Sequence, residues 1–308
     1  MIDLIIPAYN AKDTINKTLI SIAMQTISDK VNVYIINDKS NYSYSSQIKL
    51  FEKYIKIKEL KLKNNYGPGF ARQYGIDHSK SDYISFIDAD DVFHDVFSLE
   101  KLYTLISKEN ADFVYGGVLE ENENSFIESY DNQRTFAGKI YKRSFLKKNN
   151  IKFNNTRHCE DLAFNQLILG LFPKIIQCNE IVYIYCFNNK SVTRENNDYS
   201  FYSLEWYSYN VCWIINEIEK RNGDKNRIML LIYYSLRTMY ENYNYYTDVK
   251  QKKQILLWSV NLYNYFIVYK ESVNYYRLYT IISKAVNKNL NISFDDFLGK
   301  IDNIDVIN

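Results

Sequence analysis

Proline is nearly missing from this 308-residue chain, with three in all, and glycine is sparse at nine. The prolines are Pro7, Pro68 and Pro173, so nothing beyond residue 173 is punctuated by proline. Cysteine is also scarce. Cys159, Cys178, Cys186 and Cys212 include no Cys-x-x-Cys pair. That spacing argues against a zinc site and for reduced core thiols in a cytoplasmic setting. A net charge of +2 gives no general drive toward nucleic acid or anionic membrane. No run of 18 apolar residues is present, so no spanning helix is expected. Asp3 and Pro7 do not suit a signal peptide. There is no repeat of 20–50 residues and no long low-complexity tract. What the chain has in excess is tyrosine, 30 residues, fifteen of them beyond residue 200. This hints at two differently built halves, although A/T-rich coding accounts for the count equally well.

The first 120 residues alternate strand and helix patterns. Ile2–Ile6, Val31–Ile36, Tyr83–Ile87 and Ala111–Val118 read as strands, with Leu60–Leu62 a short further one. Helices are expected after a cap at Asp13, over Gln47–Lys58, over Phe70–His78 and over Leu99–Ser107. The alternation argues for an α/β unit with a mostly parallel sheet and helices on its faces. Further strands are expected at Lys174–Gln177 and Ile181–Phe187. Beyond residue 200 the period becomes helical. Leu204, Tyr207, Val211, Ile214 and Ile218 form one stripe, and Ile228, Ile232, Leu236, Met239 and Tyr243 a second. Thr247-Asp248 would cap a third helix, and Ser293-x-x-Asp296 resembles a capping box. Trp206, Trp213 and Trp258 fall at helical spacing and are expected to pack in this helical core rather than to stack on sugars.

Three strands end abruptly in polar residues: Pro7-Ala8-Tyr9-Asn10, Asn37-Asp38-Lys39-Ser40 and Asp88-Ala89-Asp90-Asp91. In open α/β sheets, ligands bind beyond the carboxyl ends of the strands. Parallel neighbours would bring all three ends to one crevice. Asp88 and Asp90, two apart on an extended segment, would share a face. Paired carboxylates there call for a cation, and a divalent ion completed by phosphate oxygens fits. Asp38 could accept hydrogen bonds from a base or ribose. Asp91 reads best as a solvated turn residue or an N-cap.

These residues resemble glycosyltransferase family 2, the inverting nucleotide-sugar transferases of GT-A fold, in an ordered set of motifs over residues 2–194. Ile5-Ile6-Pro7-Ala8-Tyr9-Asn10 resembles the family's opening strand and turn. Asn37-Asp38-Lys39-Ser40 resembles its second-strand acidic motif, which implies a uracil contact for Asp38. Asn65-x-Gly67 with Ala71-Arg72-Gln73-x-Gly75 resembles the loop and helix over the nucleotide. Phe86-Ile87-Asp88-Ala89-Asp90-Asp91 resembles the metal-binding Asp-x-Asp, and Glu160-Asp161 the catalytic pair opening an acceptor-side helix. Tyr183-x-Tyr185 with Asn188-Asn189-x-Ser191-x-Thr193 resembles the segment closing the donor site.

The resemblance implies a GT-A catalytic domain over 1–198, with a nucleotide-binding half over 1–120 and an acceptor-side half over 121–198, followed by a tyrosine-rich helical region over 199–308. It implies Asp161 as base, Glu160 as a hydrogen-bonding neighbour to the acceptor or donor sugar, and Mn²⁺ or Mg²⁺ held by Asp90 with Asp88. The donor would contact Pro7, Ala8, Tyr9, Asn10, Asp38, Asn65, Gly67, Asp88, Ala89 and Ser191. Arg72 and Arg194 would reach its phosphates, the alternative being a helix-surface salt bridge for Arg72 and a solvated side chain for Arg194. Asn37, Lys39 and Gln73 depart mildly from the family pattern. No histidine follows His158, and the Gln-x-x-Arg-Trp signature of processive synthases is missing, which favours one sugar per event.

The expected activity is transfer from a nucleotide-diphosphate sugar, a UDP-sugar by resemblance, to a saccharide, lipid-linked saccharide or glycoprotein acceptor in cell-surface glycan synthesis. Expected partners include no nucleic acid. The tyrosine-rich helices are the surface through which peripheral contact at the inner face of the membrane, or self-association, would occur. Two other classes compete: a nucleotidyltransferase using the same acidic strand ends, and a non-catalytic assembly module.

Overall fold

The computed structural model describes residues 1–130, 135–188, 199–270 and 292–304. The chain divides into two compact units. The first comprises Met1–Ile168 with Pro173–Ser191, the second Leu169–Phe172 with Val192–Asn308.

The first unit is built on a nine-stranded sheet: β1 (Ile2–Ala8), β2 (Val31–Asn37), β3 (Lys56–Lys61), β4 (Tyr83–Phe86), β5 (Val92–Phe93), β6 (Phe113–Glu121), β7 (Phe126–Ser129), β8 (Lys139–Lys142) and β9 (Ile175–Tyr185). The strand order is β3-β2-β1-β4-β8-β6-β9-β5, with β7 paired to β6. The run β3-β2-β1-β4 is wholly parallel. Beyond β4 the sheet becomes mixed, because β8 and β5 enter antiparallel and only β6 and β9 pair in parallel. Its helices are α1 (Ile15–Ala23), α2 (Ser45–Phe51), α3 (Pro68–His78), α4 (Ser98–Glu109), α5 (Arg143–Lys148) and α6 (Glu160–Leu169). β1 is a near-continuous apolar run and Leu4, Ile5 and Ile6 are wholly buried, as a central parallel strand requires.

Three local expectations change. The helix expected over Gln47–Lys58 stops at Phe51, and Lys56–Lys61 forms edge strand β3. The lysines at 56, 58 and 61 charge that edge, which guards it against further pairing. Asp13 does not cap α1: Thr14 holds the N-cap position and makes no side-chain cap. The two strands expected around residues 174–187 are one strand, β9, interrupted by a bulge. Tyr115 pairs with Gln177 and Gly117 with Ile181, then Val118 with Tyr183. β9 thus carries extra residues that β6 does not match, and the apolar pattern breaks there.

The second unit contains α7 (Tyr199–Lys220), α8 (Lys225–Tyr245), α9 (Val249–Tyr269) and α10 (Phe294–Asp302). Asp224 and Asp248 cap α8 and α9 by accepting from the Asn226 and Gln251 amides, each at 2.9 Å. Ser293 and Asp296 form the expected capping box. Ile214, Ile218, Leu236, Met239, Ile255, Leu262 and Phe297 are buried along the interior stripes. Trp258 packs on Phe201, ring centroids 5.0 Å apart. Among the described residues, no helix is long and apolar enough to cross a membrane.

α3 lies against β1 at Gly75, where an added Cβ would sit 2.5 Å from Ile5 Cγ2. Gly75→Ala is therefore expected to cost about 1–3 kcal/mol through overpacking, read as a lower urea midpoint with an unchanged m-value.

Candidate active site

β2, β1 and β4 are adjacent and parallel, so their carboxyl ends open on one edge of the sheet. The three polar strand ends meet there. The Asp38 amide donates to the Ala8 carbonyl at 2.9 Å, and the Asn10 amide to Ser40 Oγ at 2.9 Å. Pro7 and Ala8 close β1, and Ala8 is buried. Tyr9 and Asn10 are exposed beyond it.

Asp38 is buried and clamps the loop before α3. Its carboxylate accepts from the Tyr66 and Gly67 amides, both at 2.8 Å. Gly67 has φ of 92°, a conformation that L side chains rarely adopt. Burial pushes the Asp38 carboxyl up, against the pull of the two amides and Arg157. Asn65 joins the same loop, its carbonyl accepting from Arg157 Nη2 at 3.3 Å.

α3 carries Arg72 beneath the site. The residue is 3% exposed. Nη2 donates to Asp88 Oδ1 at 2.8 Å, and Nη1 to Glu160 Oε1 at 2.9 Å. Its Cζ lies 3.8 Å from the centroid of the Phe136 ring, a close cation–π stack. Nε is buried and has no hydrogen-bond partner among the described residues. Burial excludes the helix-surface salt bridge. Both terminal nitrogens act on carboxylates, so the guanidinium joins the site from below. Gly69 lets α3 approach α6 this closely, since a Cβ there would lie 2.7 Å from Glu160 Cγ.

Asp88-Ala89-Asp90-Asp91 is a turn, not the extended segment expected. The Asp91 amide donates to the Asp88 carbonyl at 3.1 Å. Ala89 turns into the hydrophobic core. Asp88 and Asp90 stay half-buried, held from opposite sides by Arg72 and by Asn188 Nδ2, which donates to Asp90 Oδ2 at 2.8 Å. Asp91 is no solvated turn residue and no N-cap. It is 2% exposed and accepts from the Tyr183 hydroxyl at 2.6 Å and the Cys186 amide at 2.9 Å. Apolar burial, with Asp88 beside it, pushes its carboxyl well above the usual range.

Glu160 and Asp161 open α6 and diverge. Glu160 is buried against Arg72. Burial is the main reason that its carboxyl is raised to about 7; Arg72 pulls it down and Asp161 pushes it up. Asp161 is half-buried. Its Oδ1 accepts from the Leu162 amide at 2.7 Å, and its Oδ2 makes no hydrogen bond among the described residues. One turn on, Asn165 Nδ2 donates to the Asp161 carbonyl at 2.9 Å. Asn165 Oδ1 accepts from the Tyr141 hydroxyl at 2.7 Å and from the buried Lys139 Nζ at 3.2 Å. His158 is partly buried, and desolvation lowers its pKa. Ser191 and Arg194 lie outside the described residues.

Sequence reading missed Phe136 and the Asn165 brace, took Asp91 for a solvated residue, and placed Tyr183 only in the segment closing the donor site, not against the acidic turn. The signal for Asp91 was its place beside the acidic pair, and for Asn165 its spacing of four from Asp161; nothing local marked Phe136.

Two carboxylates face the site as hard oxygen donors. Asp88 Oδ2 and Asp90 Oδ1 make no hydrogen bond among the described residues, which also contain no group of three or more metal-ligating side chains. The donor set suits a divalent ion that takes its other ligands from phosphate or water.

The model of Glycosyl transferase family 2 matches residues 3–163, and the chain belongs to that family. It is 28% identical over 183 residues to the poly(ribitol-phosphate) beta-N-acetylglucosaminyltransferase TarP of Staphylococcus aureus, covering 53% of this chain and 55% of TarP. It is 27% identical over 228 residues to glycosyltransferase GlyA of Streptococcus pneumoniae, covering 63% of this chain and 31% of GlyA. The chain thus spans about half of TarP and about a third of GlyA. The fold is that of S. aureus TarS 1-349 in complex with UDP-GlcNAc, with TM-score 0.73, 16% identity, and coverage of 95% of this chain and 96% of that one. The sheet and its flanking helices are accordingly those of the GT-A fold.

Two outcomes follow from the buried charges. Arg72→Ala strands Glu160 and Asp88 and is expected to cost about 3–5 kcal/mol, measured by denaturant unfolding. Glu160 favours folding in its protonated form. Its contribution is complete below pH 4.5, the ordinary value, and is lost as pH rises toward about 7. Glu160→Gln is expected to flatten the fall of unfolding free energy across that window.

Proposed function

We propose that the chain is a metal-dependent, non-processive inverting glycosyltransferase that moves a sugar from a UDP-sugar to a hydroxyl of a cell-surface saccharide or polyol polymer. The observation that carries this reading is the Arg72 bridge. It ties Asp88 of the acidic turn to Glu160, next to Asp161, so that the two acidic motifs form a single site. Three features support the acceptor class: the name of TarP, the name of the Bacillus spizizenii poly(ribitol-phosphate) beta-glucosyltransferase (29% identical over 184 residues), and that of the Escherichia coli diphosphoundecaprenol glucosyltransferase WfgD (24% over 199 residues). The UDP-GlcNAc of the TarS structure supports the donor class.

In the reaction, the acceptor oxygen attacks the anomeric carbon and the bond from that carbon to the diphosphate oxygen breaks. The electron pair leaves with the nucleotide diphosphate. The hydroxyl proton passes to Asp161, whose Oδ2 is the available carboxylate oxygen of the pair. Glu160, buried and paired with Arg72, orients rather than accepts. Asp90 and Asp88 are the residues that would hold Mn²⁺ or Mg²⁺. When bound, such an ion neutralises charge on the leaving diphosphate. Asp38 fixes the loop at Gly67 over which the base would lie. Residues 1–198 form the catalytic domain in this reading, and the helical region reads acceptor or partner. None of the four cysteines is in a disulfide among the described residues, which fits work on the cytoplasmic side.

UDP release across a panel of UDP-sugars, with and without Mn²⁺, tests the reading. Asp161→Asn is expected to lower kcat by about 10²–10⁴-fold with donor binding retained. Undiminished turnover in Asp161→Asn overturns the base assignment, and turnover indifferent to chelation overturns the metal.

A further inference from the structure

We propose that Tyr183 and Asp91 are positioning residues that fix the backbone of the Asp88–Asp90 turn for the divalent ion and diphosphate, without touching either. The proposal rests on the metal-dependent reading above and extends it to residues outside the acidic pair.

The end of β9 and the residues just after it grip three of the four residues of the turn, Asp88, Asp90 and Asp91. The Asp88 amide donates to the Tyr183 hydroxyl at 3.3 Å, and that hydroxyl donates to Asp91 Oδ2 at 2.6 Å. One phenol thus joins the first and fourth residues of the turn. Asp91 Oδ1 accepts from the Cys186 amide at 2.9 Å, and Asn188 holds Asp90 Oδ2 at 2.8 Å. On the other side, Thr18 Oγ1 of α1 donates to the Asp91 carbonyl at 2.7 Å. Tyr183 is wholly buried, with its ring edge-on to Phe93 at 6.4 Å. It therefore offers its hydroxyl to the turn and not to a ligand.

The chain of bonds has a direction: Asp88 amide to Tyr183 oxygen, Tyr183 proton to Asp91 carboxylate. An asparagine at 91 could keep the Cys186 bond, but its amide would face the tyrosine oxygen, and the phenol proton would lose its acceptor. A carboxylate is required at 91 for polarity, not for size. Two half-buried acids hold a common ion more tightly when their backbone is already fixed, because the ion then does not bear the cost of ordering them.

Tyr183→Phe and Asp91→Asn in the full chain test this, with Mn²⁺ binding followed by electron paramagnetic resonance and Mn²⁺-dependent UDP binding by calorimetry. Both variants are expected to weaken Mn²⁺·UDP binding about five- to tenfold and to raise the Mn²⁺ concentration needed for half-maximal turnover, while kcat at saturating Mn²⁺ stays within about twofold. A role confined to stability would lower the melting temperature and leave Mn²⁺ affinity intact. That result, in whichever variant folds, overturns the proposal. Wild-type UDP binding that ignores Mn²⁺ overturns the metal reading itself, and with it this role for the pair.

Discussion

One buried guanidinium holds the site together. Arg72 comes from α3, Asp88 from the turn after β4 and Glu160 from the start of α6, segments that are far apart in sequence. Each carboxylate would be costly to bury alone. A planar fork with two terminal nitrogens can meet both at once, and the Phe136 ring beneath it supplies a stack without competing for hydrogen bonds. Remove the arginine, and Asp88 and Glu160 lose their shared reference point. A lysine could not restore it, because a single ammonium does not present two fixed donors in one plane.

Around that cation the fold concentrates carboxyl groups whose charged form it disfavours. Asp38, Asp88, Asp91 and Glu160 are all pushed upward, with burial the leading cause in every case. The folded chain carries this cost where ligands are expected, and perturbed acids of this kind gather at functional sites. Rigidity there comes from backbone amides and a phenol: Tyr66, Gly67 and Cys186 donate through their amides, Tyr183 through its hydroxyl. The protein's own donors thus hold the acids in place before any cation arrives.

Much of this was legible in the residues. Buried parallel strands betray themselves as apolar runs, so β1, β2 and β4 were found, and their polar ends do share one edge of the sheet. The helical stripes beyond residue 200 were equally plain, as was the Ser293–Asp296 box. What escaped had physical causes. Lys56–Lys61 is a charged edge strand, whose pattern has no apolar run to announce it. Asp91 sits next to an acidic pair, and sequence cannot separate a solvated carboxylate from one facing a tyrosine 92 positions later. Arg72 was recognised as important, but its partners lie 16 and 88 residues away, so only the fold reveals that it reaches for acids.

The bulge in β9 decides which side chain arrives at the acidic turn. Were the ladder to continue evenly from the Tyr115–Gln177 pair, Val118 would stand opposite Glu180. Instead it stands opposite Tyr183. Glu180 is left at the surface, paired with Lys101 at 2.6 Å. Three surplus residues therefore exchange an anion for a phenol at the one place where a further negative charge would be most repelled. Strand arithmetic, invisible in any single residue, is what makes the neighbourhood of the turn tolerable to its three carboxylates.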